Sequence, residues 1–185
     1  MKRAFLILGL LVVLVVTGAI LWWYKTKSYS PENSVAFEDG GLRINITYNR
    51  PYKKGRLIFG GLVPYGKTWR TGANEATTFE TNQDLVIGGK ELPKGKYALW
   101  TVPQESSWKV IFNTSIPPWG IDVMNDGQAA RDPGGTEVIV EIPVMNSPKE
   151  IEQFTITVEK SADVIEMVLM WDRTLVAVPI TPSGQ

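Results

Sequence analysis

The chain divides by pattern into one continuous apolar run and a longer tract in which apolar and polar residues alternate. Residues 4–24 carry no charge through AFLILGLLVVLVVTGAILWWY. A helix rising about 1.5 Å per residue over that length crosses a hydrocarbon core of roughly 30 Å. Trp22, Trp23 and Tyr24 fall at its far edge and Lys25 and Lys27 follow, the order of residues that a membrane interface favours. Residues 4–24 are therefore predicted as a transmembrane signal anchor, with residues 1–3 as a short cytoplasmic tail. A cleaved signal peptide is the competing reading, with Thr17 and Ala19 as the small residues before a cut. That cut would leave the apolar stretch from Ile20 to Tyr24 as a new terminus, so retention fits better. Two basic residues lie on each side of the run, and charge alone does not orient it. With so short a leading tail, the expected arrangement is a single pass of the cytoplasmic (inner) membrane with the domain facing the periplasm or cell exterior.

Residues 25–33 contain Ser28, Ser30, Pro31 and Asn33 and read as a linker. Beyond it the period is two. Leu42, Ile44, Ile46 and Tyr48 alternate with Arg43, Asn45, Thr47 and Asn49, which predicts a strand with one buried and one wet face. Residues 84–87 and 90–92 around Gly88-Gly89 predict a hairpin, and residues 95–102 and 107–113 a second pair. Val138, Val140 and Ile142 share a face, as do Phe154, Ile156 and Val158. So do Ile165, Met167, Leu169 and Trp171, and then Val176, Val178 and Ile180. No sustained apolar period of 3.6 follows residue 28, so a parallel sheet would lack its crossover helices. The predicted class is all-β: an antiparallel β-sandwich or barrel-like domain of eight to ten short strands over residues 34–181, preceded by one transmembrane helix, with residues 182–185 as a tail.

Composition changes this picture mainly by exclusion. The chain contains no histidine and no cysteine. Thiolate nucleophiles, disulfides, imidazole or thiolate metal ligands and imidazole proton shuttles are all ruled out. Four of the 19 basic residues flank the apolar run, leaving 15 against 19 acidic ones in the rest of the chain. That mildly acidic domain clusters Lys and Arg only at Arg50, Lys53, Lys54 and Arg56, so no nucleic-acid partner is expected.

The alternation breaks over residues 54–76, KGRLIFGGLVPYGKTWRTGANEA; long irregular segments of compact domains are usually functional or disordered, and the aromatics and glycines here speak against disorder. Arg56, Trp69, Arg70, Asn74 and Glu75 are candidate ligand-binding residues there. A guanidinium, an amide and a carboxylate could line a pocket, with Trp69 as a stacking platform. The structural alternative pairs Arg70 with Glu75 as a buried ion pair that fixes the loop. Of the seven tryptophans, Trp22 and Trp23 belong to the membrane belt, and Trp100, Trp108 and Trp171 follow strand patterns. Trp69 and Trp119 are the two expected to be exposed, and Trp119 joins the candidate site.

GR-x-x-FGGLVPYG-x-x-WRTGANEAT closely resembles the signature of the DUF2911 family of uncharacterised bacterial proteins, of Bacteroidetes type. Leu92-Pro93-x-Gly95-x-Tyr97-x-Leu99, Trp108-x-Val110-Ile111-Phe112-Asn113, Trp119-Gly120, Glu152-x-Phe154 and Trp171 with residues 176–180 resemble its later blocks, in order, over roughly residues 31–181. The resemblance implies an extracytoplasmic, β-rich domain and brings no activity or cofactor with it. The chain departs from the family pattern at residues 124–135, and many relatives carry a cleavable signal in place of a retained anchor.

No catalytic residue, metal site or cofactor is assigned. Asp122-x-Met124-x-Asp126-Gly127 imitates an EF-hand start, but Pro133 stands where the terminal Glu belongs, so a polar turn is expected over a looser calcium site at Asp122, Asn125 and Asp126. The expected function is a non-enzymatic binding or structural module of the cell envelope. Its expected partners are the bilayer through residues 4–24 and an envelope carbohydrate or envelope protein. The alternative is a metal-independent hydrolase acting on envelope carbohydrate through two carboxylates drawn from Glu75, Asp122, Asp126, Asp132 and Glu152.

Overall fold

A computed structural model describes residues 2–122, 124–162 and 164–183, with side chains from residue 9 onward. The expected tails at 1–3 and 182–185 fall partly outside the described residues. The apolar run forms α1, Lys2–Ser28, which is long and apolar enough to cross a membrane, a test that a signal sequence also passes. None of its residues in the apolar window is buried against the rest of the chain. The helix continues to Ser28 and the first strand begins at Glu32, so the polar stretch read as a linker over residues 25–33 divides between them.

Period-two alternation then becomes two antiparallel sheets. The first runs in the order β1 (Glu32–Asp39), β2 (Leu42–Asn49), β3 (Thr78–Thr81), β6 (Gly95–Pro103), β7 (Ser107–Asn113) and β10 (Glu137–Pro143). The second runs β11 (Met145–Ser161), β12 (Val164–Pro182), β4 (Leu85–Ile87) and β5 (Lys90–Leu92). Both predicted hairpins form, β4 with β5 and β6 with β7. The core lies between the sheets: Ile44, Ile46, Phe79, Leu99 and Phe112 from the first face Ile156, Met167, Leu169 and Val178 from the second. Neither sheet closes, so the sandwich is what forms and the barrel-like option is corrected. Each edge strand of one sheet touches an edge strand of the other, β1 against β11 and β10 against β5. Lys160 pairs with Asp39 across the first of these seams at 2.6 Å.

The expectation of uniformly short strands is also corrected. The two apolar sets 165–171 and 176–180 belong to one strand, β12, that turns at Asp172 with a left-handed φ of 55°. Lys53 holds that corner, donating to Asp172 Oδ1 at 2.7 Å and lying 3.0 Å from Glu150. Those bonds, Asp172 first, push the Lys53 pKa upward.

Two irregular connections depart from the sandwich. Residues 50–77 cross one open end between β2 and β3. Residues 114–136 leave β7, form the two-residue strands β8 (Ile121–Asp122) and β9 (Gln128–Ala129), and return to β10 over the outer face of the first sheet. Ala129 and Ala130 pack there on Ala98, Trp100 and Ile111, which explains how Trp100 is fully buried on a sheet's outer face.

Candidate functional site

The connection over residues 50–77 is held by apolar insertion below and by unusual backbone above. Ile58, Phe59 and Val63 are buried in the end of the sandwich. Phe59 meets Trp108 with ring centroids 4.8 Å apart and Trp171 at 6.2 Å, both edge-on, the geometry that ring quadrupoles favour. Trp69 then exchanges backbone hydrogen bonds with Thr101, at 2.7 and 3.0 Å, and so continues beside β6 the lane that β3 occupies further along.

Trp69 was expected to be exposed and is not. Its ring stacks on Trp171 at 5.9 Å with 19° between planes, lies 4.9 Å from Phe154, and donates Nε1–H to the carbonyl of Gly72 at 3.1 Å. The exposure expectation failed because the loop turns its indole inward, to where Phe59, Phe154 and Trp171 converge at the sandwich end.

After Trp69 the backbone is strained. Thr71 adopts φ 54° and Asn74 φ 55°, left-handed conformations that a β-branched threonine rarely takes. The surroundings over-determine them. Thr71 is fully buried, its hydroxyl 3.1 Å from Thr101 Oγ1, and its carbonyl accepts from the Thr77 hydroxyl at 2.8 Å. Gly72 at φ 152° leaves no room for a side chain, since a Cβ there would stand 2.9 Å from the Asn49 carbonyl oxygen. Strain of about 1–3 kcal/mol per such residue persists where surrounding contacts hold it, and such residues cluster at ligand sites.

The expected Arg70–Glu75 ion pair does not form among the described residues. Glu75 instead pairs with Lys27 at the end of α1 and accepts from Asn49 Nδ2 at 3.1 Å. Burial raises the Glu75 carboxyl, but Lys27, a backbone amide and Asn49 outweigh it and hold the pKa below its ordinary 4.5. Asn74 donates to the Ser30 carbonyl at 3.3 Å and is 3.4 Å from Asn49 Oδ1. Asn74 and Glu75 thus brace the loop against the segment that leaves the helix, and neither lines the cavity described next.

Arg70 is half-buried and has no ion-pair or hydrogen-bond partner among the described residues. Its aliphatic stem lies across Gly120, where a Cβ would fall 2.5 Å from Arg70 Cδ. Burial alone lowers its pKa from the ordinary guanidinium value. A cavity of about 550 Å³ opens beside it. Trp69, Trp171 and Val63 form its apolar wall, and Lys54, Arg56 and Arg70 supply three cations. Tyr29 and Ser30 close it on the helix side, and Ile121, Gly127 and Ala129 of the second connection close it opposite. No acidic residue lines it among the described residues.

Arg56, Trp69 and Arg70 are therefore brought to one cavity. Trp119 is half-buried at the start of the second connection and does not line it. Sequence reading missed Lys54, Tyr29 and the β8–β9 wall, since two-residue strands carry no periodicity to detect. Trp171 is buried in the core, as its strand pattern predicts, and backs the cavity from behind Trp69. The possible calcium ligands form a turn: Asp122 Oδ1 accepts from the Met124 amide at 3.0 Å. No group of three or more acidic residues gathers among the described residues.

No curated protein and no solved structure matches this chain. The family model described as "Protein of unknown function (DUF2911)" matches residues 30–180, which takes in both sheets and both connections that wall the cavity. The chain therefore belongs to the DUF2911 family.

Proposed function

We propose that this chain is a membrane-anchored binding module of the cell envelope whose cavity takes a small anionic ligand, a phosphate or carboxylate carried on a sugar or similar group. The observation that carries this reading is Arg70: a half-buried guanidinium without a counter-ion among the described residues, at the wall of a cavity lined by three cations. Buried charges are normally paired within the chain, because an unpaired one loses hydration without compensation. A guanidinium presents a planar fork that matches carboxylate and phosphate geometry. The half-buried Trp69, backed by the buried Trp171, and the exposed Leu62 supply apolar area for the rest of the ligand.

The anchoring half of the proposal is supported by α1, with its apolar run, its interfacial Trp22, Trp23 and Tyr24, and Lys25 and Lys27 in its last turn. A single pass of the cytoplasmic membrane with the domain outside is the matching location. A hydrolase working through two carboxylates finds no acid in this cavity among the described residues.

Thermal unfolding of the full chain in detergent, with inorganic phosphate, glucuronate and glucose as probes, tests the ligand class. A ligand at a hundred times its Kd stabilises the native state by about 2.7 kcal/mol. Phosphate or glucuronate should raise Tm, glucose should not, and Arg70→Met should abolish the shift. An equal response to glucose, or a shift that survives Arg70→Met, overturns the reading.

A further inference from the structure

The cavity mouth stands beside the end of α1. Tyr29 and Ser30, directly after the helix, line it. Lys27 pairs with Glu75, and Lys54 Nζ lies 4.5 Å over the Tyr29 ring. Four helical steps lead from Tyr24 to Ser28 and rise about 6 Å. One headgroup layer of a bilayer is on the order of 5–7 Å thick. A helix that spans with Tyr24 at the hydrocarbon edge therefore carries the cavity mouth to the outer headgroup level.

Leu62 and Val63, from the turn over residues 57–65, line the same cavity. Their fold is fixed: the amides of Leu62 and Val63 donate to the carbonyls of Leu57 and Ile58 at 3.0 and 2.9 Å, and Gly60 bonds Val63 at 2.9 Å. Gly60, at φ 82°, accepts the Tyr65 ring where any Cβ would stand 2.8 Å from it. With Ile58, Phe59 and Val63 buried, the same turn holds Leu57 70% and Leu62 46% exposed. A hydrogen-bonded turn that presents two leucines to solvent, with Lys54 and Arg56 lining the same cavity as Leu62, has the mixed apolar and cationic character of a surface that rests on anionic lipid.

We infer that this face docks on the anionic surface of the membrane crossed by α1, with Leu57 and Leu62 entering the headgroup boundary and Arg70 receiving a lipid phosphate. The inference rests on the reading of α1 as an anchor and names the source of the anion. The short span from Ser28 to Glu32 keeps the domain close to the membrane, and Tyr29 and Ser30 within it line the cavity.

The chain has no cysteine, so single labelling sites can be introduced cleanly. Full-length Leu62→Cys and Val164→Cys, each carrying an environment-sensitive fluorophore, would be reconstituted in phosphatidylcholine vesicles with and without ~30% phosphatidylglycerol. Val164 opens β12 at the far end of the domain, near the Lys160–Asp39 pair and a full strand length from Glu32. The Leu62 probe should shift to the blue and be quenched by nitroxide-labelled lipid, more so with phosphatidylglycerol, while the Val164 probe should remain in water. Arg70→Gln should remove the gain due to phosphatidylglycerol. A Leu62 probe that stays in water on vesicles with which the chain co-floats overturns the docking and leaves the anchor standing. A chain that does not co-float overturns both. Insertion that is indifferent to phosphatidylglycerol and to Arg70→Gln overturns the assignment of the lipid phosphate.

Discussion

Arg131 and Arg70 stand on the two irregular connections that meet at the cavity, and the fold treats them in opposite ways. Arg131 makes a forked contact with Glu137 at the start of β10, Nε to Oε1 at 2.6 Å and Nη2 to Oε2. Asn113, fully buried, adds Nδ2 to the same Oε1 at 2.7 Å and ties the returning chain through the Asp132 carbonyl at 2.7 Å. The pair's hydrogen bond raises the Arg131 pKa and lowers that of Glu137, in each case against the opposing effect of burial. Arg70 has its stem packed, its head half-buried and no counter-ion among the described residues. A charge that serves architecture carries its partner in the chain, whereas a charge left desolvated and unpaired beside a cavity is suited to a partner from outside.

The hardest way to break the comparison is to remove what both sides of the cavity lean on. Trp69→Ala deletes the ring that stacks on Trp171 and meets Phe154, and should cost about 3–5 kcal/mol by denaturant unfolding. A smaller loss would mean that Trp69 belongs to the site more than to the core. Next comes Glu137→Ala, which strands Arg131 and removes one acceptor of the buried Asn113 amide, and should cost about 2–3 kcal/mol, since hydrogen bonds to charged groups carry more than neutral ones. Arg70→Met keeps the stem on Gly120 and deletes a charge that has no partner among the described residues. It should stay within about 1 kcal/mol of the parent. A loss in Arg70→Met as large as that in Glu137→Ala would erase the distinction and make Arg70 structural.

Acid unfolding sharpens the contrast. The folded pKa of Glu137 lies below its ordinary 4.5, so its contribution is fully present above that value and is lost as pH falls through the lower, folded value. Arg131→Met should therefore shift the acid midpoint upward, whereas Arg70→Met should leave it unmoved. The smallest effect is expected at Lys27→Met. Its pair with Glu75 is partly exposed and should contribute only about 0–1 kcal/mol to domain stability.

Much of the fold was legible because strand faces announce themselves at period two. Leu42 to Tyr48, the Gly88-Gly89 hairpin and the inward sets on β10, β11 and β12 stand where alternation put them. The continuity of β12 through Asp172 was not legible, because a left-handed residue inside a strand resembles a break unless the Lys53 contact that holds it is known. The candidate site was half legible. Its glycines, tryptophan and arginines drew attention to residues 54–76, but pairing Arg70 with Glu75 was wrong: proximity in sequence says nothing about direction. Left-handed Thr71 and Asn74 lie between the two residues, and Glu75 meets Lys27 and Asn49 instead.

The sequence alone determined the all-β class, the apolar N-terminal helix, the exclusion of thiol and imidazole chemistry and the family, because each depends on local composition, period or an ordered set of motifs. Only the tertiary structure decided which charges have partners. Arg131 finds Glu137 six residues on, Glu75 finds Lys27 across 48 positions, and Arg70 finds none among the described residues. Charge pairing depends on distances of a few ångströms between side chains, set by how two connections fold back over one end of a sandwich, and no local pattern in the sequence encodes them.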